Sequence, residues 1–207
     1  MIKYVAPNSR LTAAAKKRRV LLVANGDLRL SANQNCWAAQ EKMEEDLARS
    51  VAAAGYELVR AHPYKKKEKH GFISSQKEGM QVFAGIDPKM KLIVAEAVWQ
   101  YSHHLLHGLI SREGPILTVA NWSGTWPGLV GMLNLNGSLT KAGVPYSTLW
   151  GEDFGDRQFV AALKKWLQTG SYRHRTGHVR ALSRLKVPAA TRRVGEKLAR
   201  ELQHDKA

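Results

Sequence analysis

Residues 115–127 read PILTVANWSGTWP. The stretch opens as an apolar run, Ile116 to Ala120, too short for a buried helix and bounded by Pro115 and a polar loop, so it reads as a buried strand. The loop that follows holds Asn121, Trp122, Ser123, Gly124, Thr125 and Trp126, and Pro127 then favours the first turn of a helix. Two tryptophans where a buried strand runs out are costly to expose, and such a loop either packs under a neighbour or receives one.

The same unit recurs on both sides. Upstream, Arg19–Ala24 (RVLLVA), Tyr56–Ala61 (YELVRA) and Lys91–Ala95 (KLIVA) read as strands. Downstream, Val144–Trp150 (VPYSTLW) is a fifth. Between them lie helical patterns. Asn33–Ala54 carries Trp37, Met43, Leu47 and Val51 at three- and four-residue steps and closes at Gly55. Ile73–Phe83, Val98–Ile110, Pro127 to Gly143, and Arg157–Leu167 stopped at Gly170 are the others. His62 to Gly71 reads as a basic loop. Strands that are apolar on both faces and alternate with helices predict a parallel sheet covered on both sides. Five such units predict a flavodoxin-like doubly wound five-stranded parallel sheet, a three-layer α/β/α domain over 19–170. The rhythm stops at residue 171. The remainder, 171–207, reads as a basic tail with one amphipathic helix over Thr191–His204, helical or disordered.

Length and charge narrow the function. The chain of 207 residues is one domain in size, and its 44% apolar content suffices for a core. No apolar run approaches the roughly 18 residues of a membrane span, and Val20–Ala24 is too short for a signal-peptide core, so the expectation is a cytoplasmic protein away from membranes. Cys36 is the single cysteine, so neither an internal disulfide nor a paired-cysteine zinc site can form. The net charge of +15 sits mainly in the ends: residues 1–19 hold six Lys/Arg and no acid, and 171–207 hold ten against three acids. Residues 1–18 therefore read as a basic N-terminal segment. Basic tails attract nucleic acid weakly and without sequence choice, and they also simply aid solubility.

In a doubly wound sheet ligands bind outside the carboxyl ends of the strands. Four loops lie there. After strand one, NGDLRLSANQN has one glycine, so it is neither a dinucleotide fingerprint nor a P-loop. Its Arg29 could fork onto a ligand hydroxyl pair, or Asp27 could cap a turn and leave Arg29 solvated. After strand three, EAVWQYSHH brings Glu96, Trp99, Tyr101, His103 and His104 to the same edge. Trp99 and Tyr101 could stack on a sugar ring or cover the sheet, and His103 and His107, four apart, lack a third ligand to make a metal site. After strand four, Asn121 and Ser123 offer hydrogen bonds, Trp122 faces a pocket and Trp126 packs on the helix start. After strand five come Glu152 and Asp153. No serine sits in a nucleophile elbow, and no catalytic set is present. This palette of Trp, Tyr, Asn, His and one Arg suits a neutral polyol better than a nucleotide.

Three ordered stretches, ANGDLRLSANQN, VAEAVWQYSHH and ANWSGTWPGLVGMLNLNGSLTKAGVPYSTLWGEDF, resemble the N-terminal domain of the L-fucose isomerase family, related to L-arabinose isomerases. The resemblance covers about residues 19–170. It implies an aldose–ketose isomerase scaffold. In that family a divalent ion, usually manganese, is held by two acids and a histidine of later domains, while the first domain helps close the sugar pocket of a neighbouring subunit. Those sugar contacts fall on Arg29 and Trp99; Trp122, Asn121 and Tyr101 join them on their own chemistry. No catalytic residue and no metal ligand is assigned to this chain. The expected partners are a monosaccharide and a homo-oligomer or separate catalytic domain, the chain being either a piece of a longer enzyme or a first domain acting alone. The alternative is a stand-alone sugar-binding module of the same fold.

Overall fold

In a computed structural model, residues 2–5, 18–98, 104–121, 125–178 and 186–204 are described. They fall into two compact units, 1–173 and 174–207.

The first unit is a five-stranded, all-parallel sheet in the order β2-β1-β3-β4-β5, the flavodoxin-like arrangement. Its strands are β1 (Arg19–Val23), β2 (Glu57–Arg60), β3 (Leu92–Glu96), β4 (Ile116–Asn121) and β5 (Ser147–Gly151). Every residue of β3 is buried, and β4 is buried up to its last residue, as parallel strands covered on both faces require. Alternation divides their side chains between two cores. Val20, Leu22, Ile93, Ala95, Leu117, Val119 and Leu149 lie on one face, under α1 (Leu30–Ala53) and α5 (Arg157–Thr169). Trp37, Leu47, Leu163 and Trp166 from those helices complete that core. Leu21, Val23, Leu92, Val94 and Ile116 lie on the other face, under α2 (Gln76–Gly85), α3 (Leu106–Ile110) and α4 (Gly128–Lys141).

Several boundaries differ from the sequence pattern for local reasons. The second helix begins at Gln76 rather than Ile73, because Ile73 is drawn into a parallel bridge with Asn25: Ile73 N donates to Ala24 O at 2.9 Å, and Gly26 N to Ile73 O at 2.8 Å. Ser75 then caps the helix, its hydroxyl accepting from Glu78 N at 3.1 Å. Pro127 sits one residue before α4 instead of in its first turn. α5 starts on a conventional cap, Asp156 accepting from Gln158 N and Phe159 N at 2.9 and 2.8 Å, and ends on the left-handed Gly170. Of the expected helix over 98–110, the described part forms only α3. The basic loop after β2 is an ordered turn in which Lys65 N donates to His70 O at 2.8 Å and the Lys65 ammonium reaches Ser74 and Glu78.

The charge pattern groups residues 2–5 with a basic N-terminal segment, yet they pair with the sheet edge: Arg60 N donates to Lys3 O at 2.8 Å and Val5 N to Arg60 O at 3.2 Å. The second unit carries α6 (Ala189–His204), longer by two residues than the sequence suggests, with none of its residues buried. Val194, Leu198 and Leu202 form one stripe on it, four residues apart. No helix among the described residues is long and apolar enough to cross a membrane.

Candidate functional site

The strand order reverses direction between β1 and β3, so the switch point lies where those two strands end. Local sequence shapes this end closely. Gly26 has no room for a side chain: a Cβ would meet Phe72 Cβ at 2.6 Å and Ile73 O at 2.9 Å. The loop after it is clasped by Asn33, whose amide oxygen accepts from Asp27 N at 2.7 Å while its amide nitrogen donates to Asp27 O at 2.8 Å. Asp27 in turn accepts from Arg29 three times, through the backbone N at 2.8 Å and the guanidinium Nε and Nη2 at 3.0 Å each. These bonds hold the Asp27 carboxyl below the ordinary carboxylate range, and the His104 ring adds to the effect.

Arg29 is thus engaged by its own loop. Its side chain is 75% exposed and is committed to an acid two residues away, the solvated alternative of the sequence reading. Asn121 closes β4, and its amide oxygen is buried without a hydrogen-bond partner. Trp99, Tyr101 and Trp122 lie outside the described residues. So does His103, half of the His103/His107 pair. Trp126 is partly buried and packs on the core beneath α1 and α5.

Asn121 and Trp126 line a cleft of ≈ 490 Å³ at the carboxyl ends of β4 and β5. Its other walls include Lys42 and Asp46 from α1 and Glu152 and Phe154 from the loop after β5. The Lys42 ammonium is paired with Asp46 at 3.0 Å, so the cleft offers acceptors, an amide and an aromatic edge rather than a free cation. The start of α4 presses against this end of the sheet. A Cβ on Gly128 would lie 2.0 Å from Glu96 O and 2.4 Å from Asn121 Oδ1, so only glycine allows the helix to seat there.

Two residues of this edge were not singled out as ligand contacts from the sequence. Glu96 ends β3 at 1% exposure, with one carboxyl oxygen lacking a hydrogen-bond partner. Burial alone pushes its carboxyl well above the ordinary range, favouring the protonated form. Asn25, 3% exposed, has its amide oxygen in the same state. The signal available in the sequence was the acid that closes LIVAE, an otherwise wholly apolar strand.

Beneath the same exits, on the α1 face, lies a second polar group that is fully engaged. The Arg60 guanidinium pairs with both oxygens of Glu44, donates to Gly71 O and stacks 5.1 Å from the Trp37 ring. Gln40 donates to Glu44 at 3.0 Å and to Ala95 O at 3.1 Å, and accepts from Ala97 N at 3.0 Å. His62 accepts from Ala24 N at 3.1 Å; burial first, then the Arg60 charge, keeps it well below the imidazole range and therefore neutral.

Among the described residues no group of three His, Cys, Asp or Glu is placed to hold a metal ion, so the manganese that the resemblance implies finds no ligand set within them. No protein-family model matches the chain, and no curated protein is significantly similar to it.

Proposed function

We propose that the sheet domain is the sugar-contacting first domain of an aldose–ketose isomerase of the L-fucose/L-arabinose type, with the metal and the proton-transfer groups supplied from outside the described residues. The observation that carries the reading is the cleft at the carboxyl ends of β4 and β5, lined by Asn121, with its unpartnered amide oxygen, and by Trp126. A neutral hydroxylated ring suits it: hydroxyls donate to the amide oxygen and to the acids of the cleft, and C–H faces lie on the indole. A phosphate or nucleotide would meet the acids Glu152 and Asp153 there, with Lys42 and Asp46 paired to each other. A second subunit or a catalytic domain would close the open side, with Trp99, Tyr101 and Trp122 as further sugar contacts from the neighbouring loops.

The test is a titration of the purified chain with L-fucose, L-arabinose and the matching ketoses, followed by tryptophan emission. A saturable change is expected, reduced in Trp126→Phe and weakened about threefold to tenfold in affinity by Asn121→Ala, the range of one lost hydrogen bond. The same preparation should leave the aldose unconverted. A flat titration across all these sugars would remove the reading.

A further inference from the structure

The β1–β3 register pairs Leu21 with Leu92, Leu22 with Ile93 and Val23 with Val94. Two residues further on stand Asn25 and Glu96. Val23 and Val94 belong to the core under α2, α3 and α4, and a step of two along an extended strand returns a side chain to the same face. Asn25 keeps that direction because its backbone continues as a strand, bridged to Ile73, which lies in the same core. On the other flank Glu96 is registered with Ala120, whose methyl offers the acid no hydrogen bond. Asn25 and Glu96 therefore stand side by side on one face, across the strand pair where the sheet switches direction.

Their backbone is held firmly. Gln40 grips β3 on both sides of Glu96, at Ala95 O and Ala97 N, and through Glu44 it is tied to Arg60. Gly26 N and Ile73 N fix the chain on both sides of Asn25. The strand ends are over-determined, yet one oxygen of each side chain they present, Asn25 Oδ1 and Glu96 Oε2, is buried without a hydrogen-bond partner. A protein rarely leaves a buried acceptor unpaired, since each such group costs what a hydrogen bond would recover. Two adjacent ones on a rigid frame at a switch point mark a place where a partner arrives from outside.

We infer that Asn25 and Glu96 form a hydrogen-bonding subsite for the neutral hydroxyl or carbonyl end of a sugar, inserted between the exits of β1 and β3. The inference rests on the reading of this edge as a sugar site. The chemistry fits a neutral group. The Asn25 amide oxygen accepts from a hydroxyl, while a Glu96 carboxyl that carries its proton donates to a hydroxyl or carbonyl oxygen and accepts through its other oxygen. The cation nearest in sequence, Arg29, is already bound to Asp27, so an anionic group gains nothing here.

The test compares wild type with Glu96→Gln and Glu96→Met, using L-fucose as the probe and thermal unfolding without sugar as a second readout. Gln keeps a donor and an acceptor; Met keeps the volume and removes both. Wild type should bind saturably, E96Q within about threefold of it, and E96M about tenfold more weakly, with the E96M melting temperature equal to or above that of wild type. This opposition, weaker binding with undiminished stability, is what a partner-seeking buried acid produces and a structural one does not. If E96M binds like wild type and melts lower, Glu96 is structural and the inference falls while the sugar site stands. If wild type shows no saturation with L-fucose, the inference and the reading beneath it fall together. Should E96M fail to fold, Asn25→Leu makes the same comparison on the other half of the pair, with the same expected tenfold loss and the same overturning result.

Discussion

Two groups of polar side chains are buried on opposite faces of one sheet, a few residues apart, and they are finished differently. On the α1 face, Arg60, Glu44, Gln40 and His62 bond to one another and to the backbone of Gly71, Ala24, Ala95 and Ala97. At the strand exits of the opposite face, Asn25 and Glu96 are as deeply buried and have oxygens with no partner. The first group is a frame: it ties α1, β2 and β3 together and leaves nothing to offer a ligand. The second has the same burial without the compensating bonds, which destabilises the fold by itself and is tolerated where a ligand supplies the missing partner. Chemistry-bearing residue types do not distinguish the two groups, since both contain a glutamate and an amide. Their hydrogen-bond state does.

The sharpest way to break this contrast is to damage the frame. Arg60→Met leaves Glu44 charged and buried without its partner, and is expected to lower unfolding free energy by about 3–5 kcal/mol, measured by urea denaturation. Restoring neutrality with Glu44→Gln in the same chain should recover part of that loss. A smaller effect follows at the seat of α4. Gly128→Ala sets a methyl against Glu96 O and Asn121 Oδ1, so the helix start must shift; a loss of about 1–3 kcal/mol is expected, together with weaker sugar binding because Asn121 moves.

Glu96 sharpens the comparison through pH. Its folded carboxyl holds its proton above the ordinary range, whereas the unfolded chain releases it near the ordinary glutamate value of 4.5. Over the interval between them the native state binds more protons, so stability is greatest below the unfolded value and falls as pH rises, with a slope of at most about 1.4 kcal/mol per pH unit. E96Q should flatten that slope in urea melts taken from acid to neutral pH; an unchanged slope would mean that Glu96 is ionised in the fold. The smallest effect belongs to the second unit. α6 has no buried residue, so ending the chain just before Ala189 should change the stability of the sheet domain by less than about 0.5 kcal/mol.

The architecture was legible because its signal is collective: runs such as LIVA and ILTVA can only be strands buried on both faces, and their alternation with helices sets the sheet. The helix starts were less so, since they turn on single contacts. Ile73 fits a helical pattern, but its backbone bonds to Ala24 and Gly26 remove it from the helix. Asn121 could be placed at the ligand edge because it ends an obvious strand. Arg29 could be placed there too, but not its direction, because the competing acid at Asp27 lies in the same loop and wins locally. Asn25 and Glu96 escaped weight as contacts because a lone amide or acid at a strand end is ordinary in sequence. Only the register that sets them side by side, and the one oxygen on each that lacks a partner among the described residues, gives them meaning.

The central claim, that the exits of β1 and β3 hold a buried acid whose unpartnered oxygen awaits a neutral group, is tested most directly by infrared difference spectroscopy of wild type against E96Q at neutral pH, with and without saturating L-fucose. The account predicts a protonated carboxyl stretch in wild type alone, at the high frequency of a carbonyl without a hydrogen bond, that moves to lower frequency when the sugar is added. A carboxylate signal in its place, or a protonated band that sugar leaves unmoved, would contradict it.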